Sequence, residues 1–365
     1  MDAQTGQVLL DAEASTPHTP ASTTKTLTAF TALAHLDPTT TLTTSALLGA
    51  DSHTLYLDSE GDLLLGIGAS ETTEVSGRAG LQTLANDTAS VLAQRGVTSV
   101  TLDWRGTLFE GASHLSSWDA QEVGAYEGEV GPMAIDAGRT YEGANDFYSD
   151  SPARVAQVFA QALGAAGINA TLGEAGEPPA GAAALATVSS ATMGEQLRWM
   201  LAHSDNTLAD QYCRFAARAA GAPATYEGAT STVASTLSAA GVPTEGLFLE
   251  DCSGLSSNDR ISANTLVGVL KASYSGQGTS ADTMRLLPWA GLVGTLSKRM
   301  TEEPAVGNVQ AKTGALAEVS SLSGSVITRG GRVLLVSIGH DQVTAGALAT
   351  RGRLDAFEEG LAGLN

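Results

Sequence analysis

The sequence predicts a mixed α/β (α+β) fold in which one discontinuous domain, residues 1–42 plus 186–365, is interrupted by an inserted α/β domain, residues 43–185. Three observations predict it. Leu27, Phe30, Leu33 and Leu36 recur at helical spacing near the start. Between about residues 40 and 185 the texture changes to short strand-like runs that alternate with helical stretches. Helical patterns then resume and give way to strand signals, the last two joined by Gly330-Gly331, a two-residue hairpin signal.

In chain order, Thr5-Gly6 reads as a hairpin turn ahead of a strand at residues 7–10. Its partner strand is almost missing, so the expectation is a trimmed sequence or a late start. Pro20 fits the N-terminal edge of the first helix, and Asp37-Pro38 ends it. In the insert, "HTLYLDS" (53–59), "DLLLGIG" (62–68) and "VTSVTLDW" (97–104) read as strands, and residues 80–94 and 152–166 as helices. "GEPPAGAAALA" (176–186) reads as a linker. Helices follow at 193–201 and 207–220, separated by "AHSDN"; strands follow at 309–313, 321–328 and 332–338, and a helix at 348–361 closes the chain.

With 365 residues and 43% hydrophobic residues, the chain can bury a substantial core. Its formal charge of −20 argues against nucleic acid and anionic lipid as partners, since both would be repelled. No apolar stretch approaches the length of a transmembrane span, and no signal peptide precedes Met1. Cys213 and Cys252 fit either one disulfide or two buried thiols. Neither C-x-x-C nor H-E-x-x-H occurs to suggest a metal, and "GIGASE" lacks the third glycine of a dinucleotide loop, so no cofactor is expected.

Chemistry enters with "TPASTTKTLTAF" (19–30). Ser22 and Lys25 lie three apart and share a face on a helix. Serine becomes a nucleophile when a base removes its proton, and a lysine serves once burial or a second cation lowers its pKa. An isolated S-x-x-K is more often an N-terminal serine and a solvated lysine. The chain, however, has only four lysines, and Lys25 alone has a serine three residues earlier. A second lysine, Lys312, opens Lys312-Thr313-Gly314, and Ser204-Asp205-Asn206 lies between two helices. Ser256-Asn258 and Ser262-Asn264 share the S-x-N spacing but lack that context. His203 beside Ser204 reads as structural, because adjacent residues seldom face each other, and Glu110 reads as a solvated loop carboxylate.

The order S-x-x-K, S-D-N, K-T-G resembles the triple of penicillin-binding proteins and class A β-lactamases. The stretches "DAQTGQVLLDAEASTPHTPASTTKTLTAFTAL", "EDCSGLSSNDRIS", "LPWAGLVGTLSKRM" and "VQAKTGALAEVSSLSGSV" are similar to the low-molecular-mass class C penicillin-binding proteins, the type-four D-alanyl-D-alanine carboxypeptidase/endopeptidase family. That resemblance implies a serine β-lactamase/DD-peptidase-like catalytic domain, an antiparallel sheet flanked by helices. It also implies an insert whose nested small domain is reduced or absent. Its implied roles are Ser22 as nucleophile, Lys25 as base, Ser204 and Lys312 as proton relay, and Asn206 as holder of the acyl-side amide. Thr313 and Lys312 would bind the terminal carboxylate, and the backbone N–H groups of Ser22 and Ala315, beyond Gly314, would form the oxyanion hole. The implied partners are a peptidoglycan stem peptide and β-lactam antibiotics, in an extracytoplasmic setting.

Three departures qualify the resemblance. Ala315 stands where the family has a threonine or serine, a loss worth about 1.5–3 kcal/mol of carboxylate binding. Ser257 stands where members that read a diacid side chain often have arginine, which points to lysine or ornithine at the third position of the stem peptide. In "DWRGTLFEG", which resembles a loop overhanging the active site, Leu108 replaces a frequent aromatic. Two alternatives stand beside the DD-peptidase: a β-lactamase or esterase of the same superfamily, and a weakly active peptidoglycan-binding homologue.

Overall fold

The computed structural model describes every residue except Gln277 and Ala345, and the chain divides into two compact units. The first comprises Met1–Pro38, Leu115–Gly124 and Leu197–Asn365; the second comprises Thr39–His114 and Ala125–Gln196. The short segment Leu115–Gly124 thus belongs to the first unit although its neighbours in sequence belong to the second.

The chain opens without the strand expected at residues 7–10. Asp2 instead builds a turn, its Oδ1 accepting from the backbone N–H groups of Gln4 and Thr5 and from the Thr5 hydroxyl. Val8, Leu9 and Leu10 lie exposed and in no strand, because no neighbouring strand pairs with them. After the short strand β1 (Pro17–His18) and a 3₁₀ turn at Ala21–Thr23 comes helix α1 (Thr24–His35). Residues Thr24 to Leu33 are all buried, so α1 is a central helix rather than a surface one.

The second unit carries strands β2 (Thr41–Leu48), β3 (Thr54–Ser59) and β4 (Asp62–Leu65), helix α2 (Leu81–Gln94) and strand β5 (Ser99–Trp104). The chain passes through α3 (Ser116–Ala120) of the first unit and returns as β6 (Met133–Ile135), α4 (Ser151–Ala165), β7 (Asn169–Ala175) and β8 (Ala183–Thr192). The main sheet has the order β7-β5-β3-β2-β8, with β3–β5 and β5–β7 parallel and the β2 pairings antiparallel. In β2 and β3 alternate residues are buried, and that face packs under α2 and α4 through Leu55, Leu57, Leu84, Leu92, Leu102, Phe159 and Leu163. β8 begins inside the segment expected as a linker: its alanines become strand by pairing with β2, not by intrinsic propensity.

Helix α5 (Met193–His203) starts in the second unit and belongs to the first from Leu197 on; the first unit then continues with α6 (Asn206–Ala219), α7 (Tyr226–Ala239), β9 (Ile261–Ser262), α8 (Ala263–Ser275) and α9 (Thr283–Leu286). It ends with strands β10 (Val309–Leu316), β11 (Val319–Ile327) and β12 (Val333–His340) and helix α10 (Leu348–Ala362). α1 packs on α6, α7 and α8, and Leu27, Phe30, Val233, Leu237, Leu266 and Val269 fill the space between them. The strands form an antiparallel sheet, β10-β11-β12, lined by Val309, Ala311, Leu322, Val326 and Leu334. β10 is an edge strand of that sheet. No helix among the described residues is long and apolar enough to cross a membrane.

Candidate active site

Ser22 sits in the 3₁₀ turn that leads into α1. The residue before it, Ala21, has φ of 49°, a left-handed conformation that costs a non-glycine residue about 1 kcal/mol or more. The surroundings hold it there. Thr23 and Thr24 donate their hydroxyls to the carbonyls of Pro20 and Ala21 at 2.8 and 2.9 Å, and Ser321 on β11 donates to Pro20 O at 2.7 Å. Two glycines let neighbouring backbone approach. A Cβ on Gly254 would lie 2.0 Å from Ala21 O; one on Gly314 would lie 2.1 Å from Ser321 Oγ and 2.7 Å from Pro20 O. The glycine after Lys312-Thr313 is therefore what brings β10 against the turn that carries Ser22.

Lys25, on the first turn of α1, is fully buried. Its Nζ bonds to Ser22 Oγ at 2.9 Å, to Asn206 Oδ1 at 2.6 Å and to the Ser253 carbonyl at 2.7 Å. Asn206 reaches this position because "HSDN" is a sharp helix break. Ser204 takes φ of 59°, Asp205 caps α6 by accepting from Leu208 N at 2.8 Å, and Asn206 becomes the first helical residue.

Lys312, in the middle of β10 opposite Ser323, is also fully buried. Its Nζ donates to Ser204 Oγ and to the Thr313 carbonyl, each at 2.8 Å. Its pKa lies well below the usual lysine value, first because burial strips its hydration and then because Lys25 and Arg299 lie nearby. Thr313 bonds through its hydroxyl to Thr295 Oγ1 at 3.0 Å. Ala315, further along the strand, is exposed.

Lys25 thus bonds both Ser22 and Asn206, and Lys312 bonds Ser204, while Thr313 and Gly314 lie on the same strand as Lys312. His203 stacks on Trp199 at 4.1 Å and bonds through Nδ1 to the Trp199 carbonyl. Among the described residues no group of three or more His, Cys, Asp or Glu side chains is arranged to hold a metal ion.

Sequence reasoning missed the support for Lys25. The Ser253 carbonyl is aimed by Asp251, a fully buried carboxylate. Asp251 Oδ1 accepts from Ser253 N, Ser253 Oγ and Gly254 N at 3.0, 3.1 and 2.6 Å, and Oδ2 from Ser256 N and Trp118 Nε1 at 2.7 and 2.8 Å. Cys252 bonds to Cys213, which ties this loop to α6, the helix that carries Asn206. The segments that carry two of the Lys25 partners, Asn206 and Ser253, are therefore cross-linked. Beside the loop, Thr16–Thr19, Gln121, Leu255, Ser257, Arg260, Leu316–Val319, Asp341 and Gln342 line a cavity of about 570 Å³.

The model of the D-Ala-D-Ala carboxypeptidase 3 (S13) family matches residues 1–147 and 142–361. A Mycobacterium tuberculosis carboxypeptidase is 34% identical over 349 residues, covering 91% of this chain and 73% of that protein. Carboxypeptidase DacB of Mycolicibacterium smegmatis is also 34% identical, covering 92% and 74%. In structure, penicillin binding protein 4 of Haemophilus influenzae aligns with a TM-score of 0.77 at 20% identity, covering 99% of this chain and 94% of its own. The fold is accordingly the serine DD-peptidase/β-lactamase-like one.

Proposed function

Because the chain belongs to the D-Ala-D-Ala carboxypeptidase 3 (S13) family, we propose that its Ser22 attacks the carbonyl between two terminal D-alanines of a peptidoglycan stem peptide and forms an acyl-enzyme. The observation that carries this reading is the shell around Lys25. A neutral amine has two N–H groups and one lone pair. The two hydrogens match Asn206 Oδ1 and Ser253 O, and the lone pair then faces Ser22 Oγ at 2.9 Å, ready to take its proton. Once protonated, the ammonium has three hydrogens for the same three oxygens. The shell is thus satisfied before and after proton transfer, so little reorganisation opposes the step.

Lys312 and Ser204 then pass a proton to the departing D-alanine amine, and the 2.8 Å contact between them is the relay's first link. The two buried lysines are coupled, since charge on one disfavours charge on the other. The peptide lies along the free edge of β10. Residues 288–290 close that edge only as far as Ala311, through Ala290 N to Val309 O and Ala311 N to Pro288 O. Beyond it, Thr313 to Leu316 accept an extended backbone as an added strand. The backbone N–H groups of Ser22 and Ala315 hold the oxyanion, and Thr313 and Lys312 take the terminal carboxylate. A β-lactam acylates Ser22 by the same route. Water releases the peptide acyl group.

The cavity beside Ser257 receives the third residue of the stem peptide. Arg260 Nη1 there is committed to Thr19 Oγ1 and to the carbonyls of Ser257 and Asp259, Asp341 faces His18 Nδ1 at 3.3 Å, and Glu318 contributes a further carboxylate. That lining favours an amino-bearing side chain, such as lysine or ornithine, over a diacid. The second unit is an accessory insert, residues 43–185 in the sequence-based division. Wall peptides place the enzyme outside the cytoplasm, and the Cys213–Cys252 disulfide suits such an oxidising setting. Release of D-alanine from a Lys-D-Ala-D-Ala peptide tests the reading; absence of release, or equal turnover of a diaminopimelate peptide, contradicts its substrate.

A further inference from the structure

Ala315 leaves the carboxylate-binding strand one hydroxyl short, and residues 313 and 315 of a strand project to the same face. The structure holds a hydroxyl from another element at this strand. Residues 288–290 pair with β10 up to Ala311; the chain then turns at Gly291 and Gly294, whose φ values are 70° and 60°. Thr295 follows, just where the pairing stops, with its Oγ1 3.0 Å from Thr313 Oγ1. The turn is pinned. A Cβ on Gly294 would lie 2.4 Å from Ala202 O, so this loop packs against the end of α5, two residues before Ser204. Thr295 itself is exposed, free to meet a ligand on the open edge.

Resting on the proposed DD-peptidase reading, we infer that Thr295 is a substrate-binding residue that recognises the terminal carboxylate together with Thr313, in place of the hydroxyl missing at Ala315. Each hydroxyl is both donor and acceptor. In the free site Thr313 donates to Thr295, which keeps both groups hydrogen-bonded. When a carboxylate arrives, both O–H groups turn to it, giving two charge-assisted hydrogen bonds beside the buried Lys312. No bond is made or broken; the effect is on recognition alone.

The test compares Ser22 acylation by benzylpenicillin with acylation by its carboxamide, which lacks the anionic oxygen pair. In the wild type the free acid reacts faster. Thr295→Val lowers the rate constant for the acid by about tenfold or more while leaving that for the carboxamide within about twofold. Thr295→Val combined with Ala315→Thr recovers most of the loss, because the second hydroxyl returns on the strand itself. An unchanged acid-to-amide ratio in Thr295→Val, or an equal fall for both ligands, overturns the role of Thr295. Wild-type protein that forms no Ser22-dependent adduct overturns the acyl-enzyme reading beneath it, a separate outcome.

Discussion

Lys25 Nζ lies 2.6 Å from Asn206 Oδ1, across 181 residues of sequence. The contact joins the first turn of α1 to the first residue of α6. It depends on the left-handed Ser204, on the cap made by Asp205 and on the Cys213–Cys252 bridge that ties α6 to the loop supplying the third oxygen. The site is therefore a junction of helix termini and one strand, held by buried polar bonds.

Lys312 is the first target. Lys312→Met keeps the volume and removes the amine, so acylation of Ser22 falls by about 10²-fold or more, as for loss of a general acid–base group. Its pKa is depressed in the folded state, so between that value and the unfolded value near 10.5 the unfolded chain binds more protons and wild-type stability rises with pH. Lys312→Met removes this cost. Its thermal midpoint relative to wild type is higher at pH 7 than at pH 10, which scanning calorimetry at the two pH values measures.

Asp251 is the second. Asp251→Asn sets an N–H₂ group against donors now satisfied by a carboxylate oxygen, from Trp118 and Ser256 or from Ser253 and Gly254. A loss of about 3 kcal/mol in urea unfolding is expected. Because the Ser253 carbonyl is no longer fixed, acylation at saturating β-lactam slows as well. Wild-type acylation in a folded Asp251→Asn protein contradicts this role.

How much of this was legible in the sequence follows from where each interaction resides. Ser22, Lys25, Ser204, Asn206 and Lys312 belong to three short motifs that can be recognised by their local spacing, and the scarcity of lysine made two of them stand out, although the contacts that join the motifs are long-range. The Ser253 carbonyl has no such signature, because every residue has one. Trp118 reaches Asp251 across 133 residues, a contact that tertiary packing creates. α7, "YEGATSTVASTLSA", is rich in serine and threonine, so its weak intrinsic propensity hid a helix that burial of Val233 and Leu237 stabilises. Residues 7–10 failed in the opposite sense: an apolar run reads as a strand, yet without a neighbour to pair it has no reason to become one.

The disulfide gives a third prediction. Cys213 and Cys252 close a loop with a sequence separation of 39, for which the chain-entropy argument gives about 3–4 kcal/mol. Cys213→Ala/Cys252→Ala lowers stability by roughly that amount in denaturant titration. It also slows acylation, since the segments that carry Asn206 and Ser253 lose their cross-link. A double variant as stable and as fast as wild type contradicts the positioning role.

The central claim is that Ser22, deprotonated by Lys25, becomes covalently acylated. Labelling with a fluorescent penicillin, followed by mass analysis of the adduct, tests it most directly. The account predicts one adduct per chain, on Ser22, absent from Ser22→Ala and strongly slowed in Lys25→Ala. A wild-type chain that is folded yet takes no label, or a label that persists undiminished in Ser22→Ala, contradicts it.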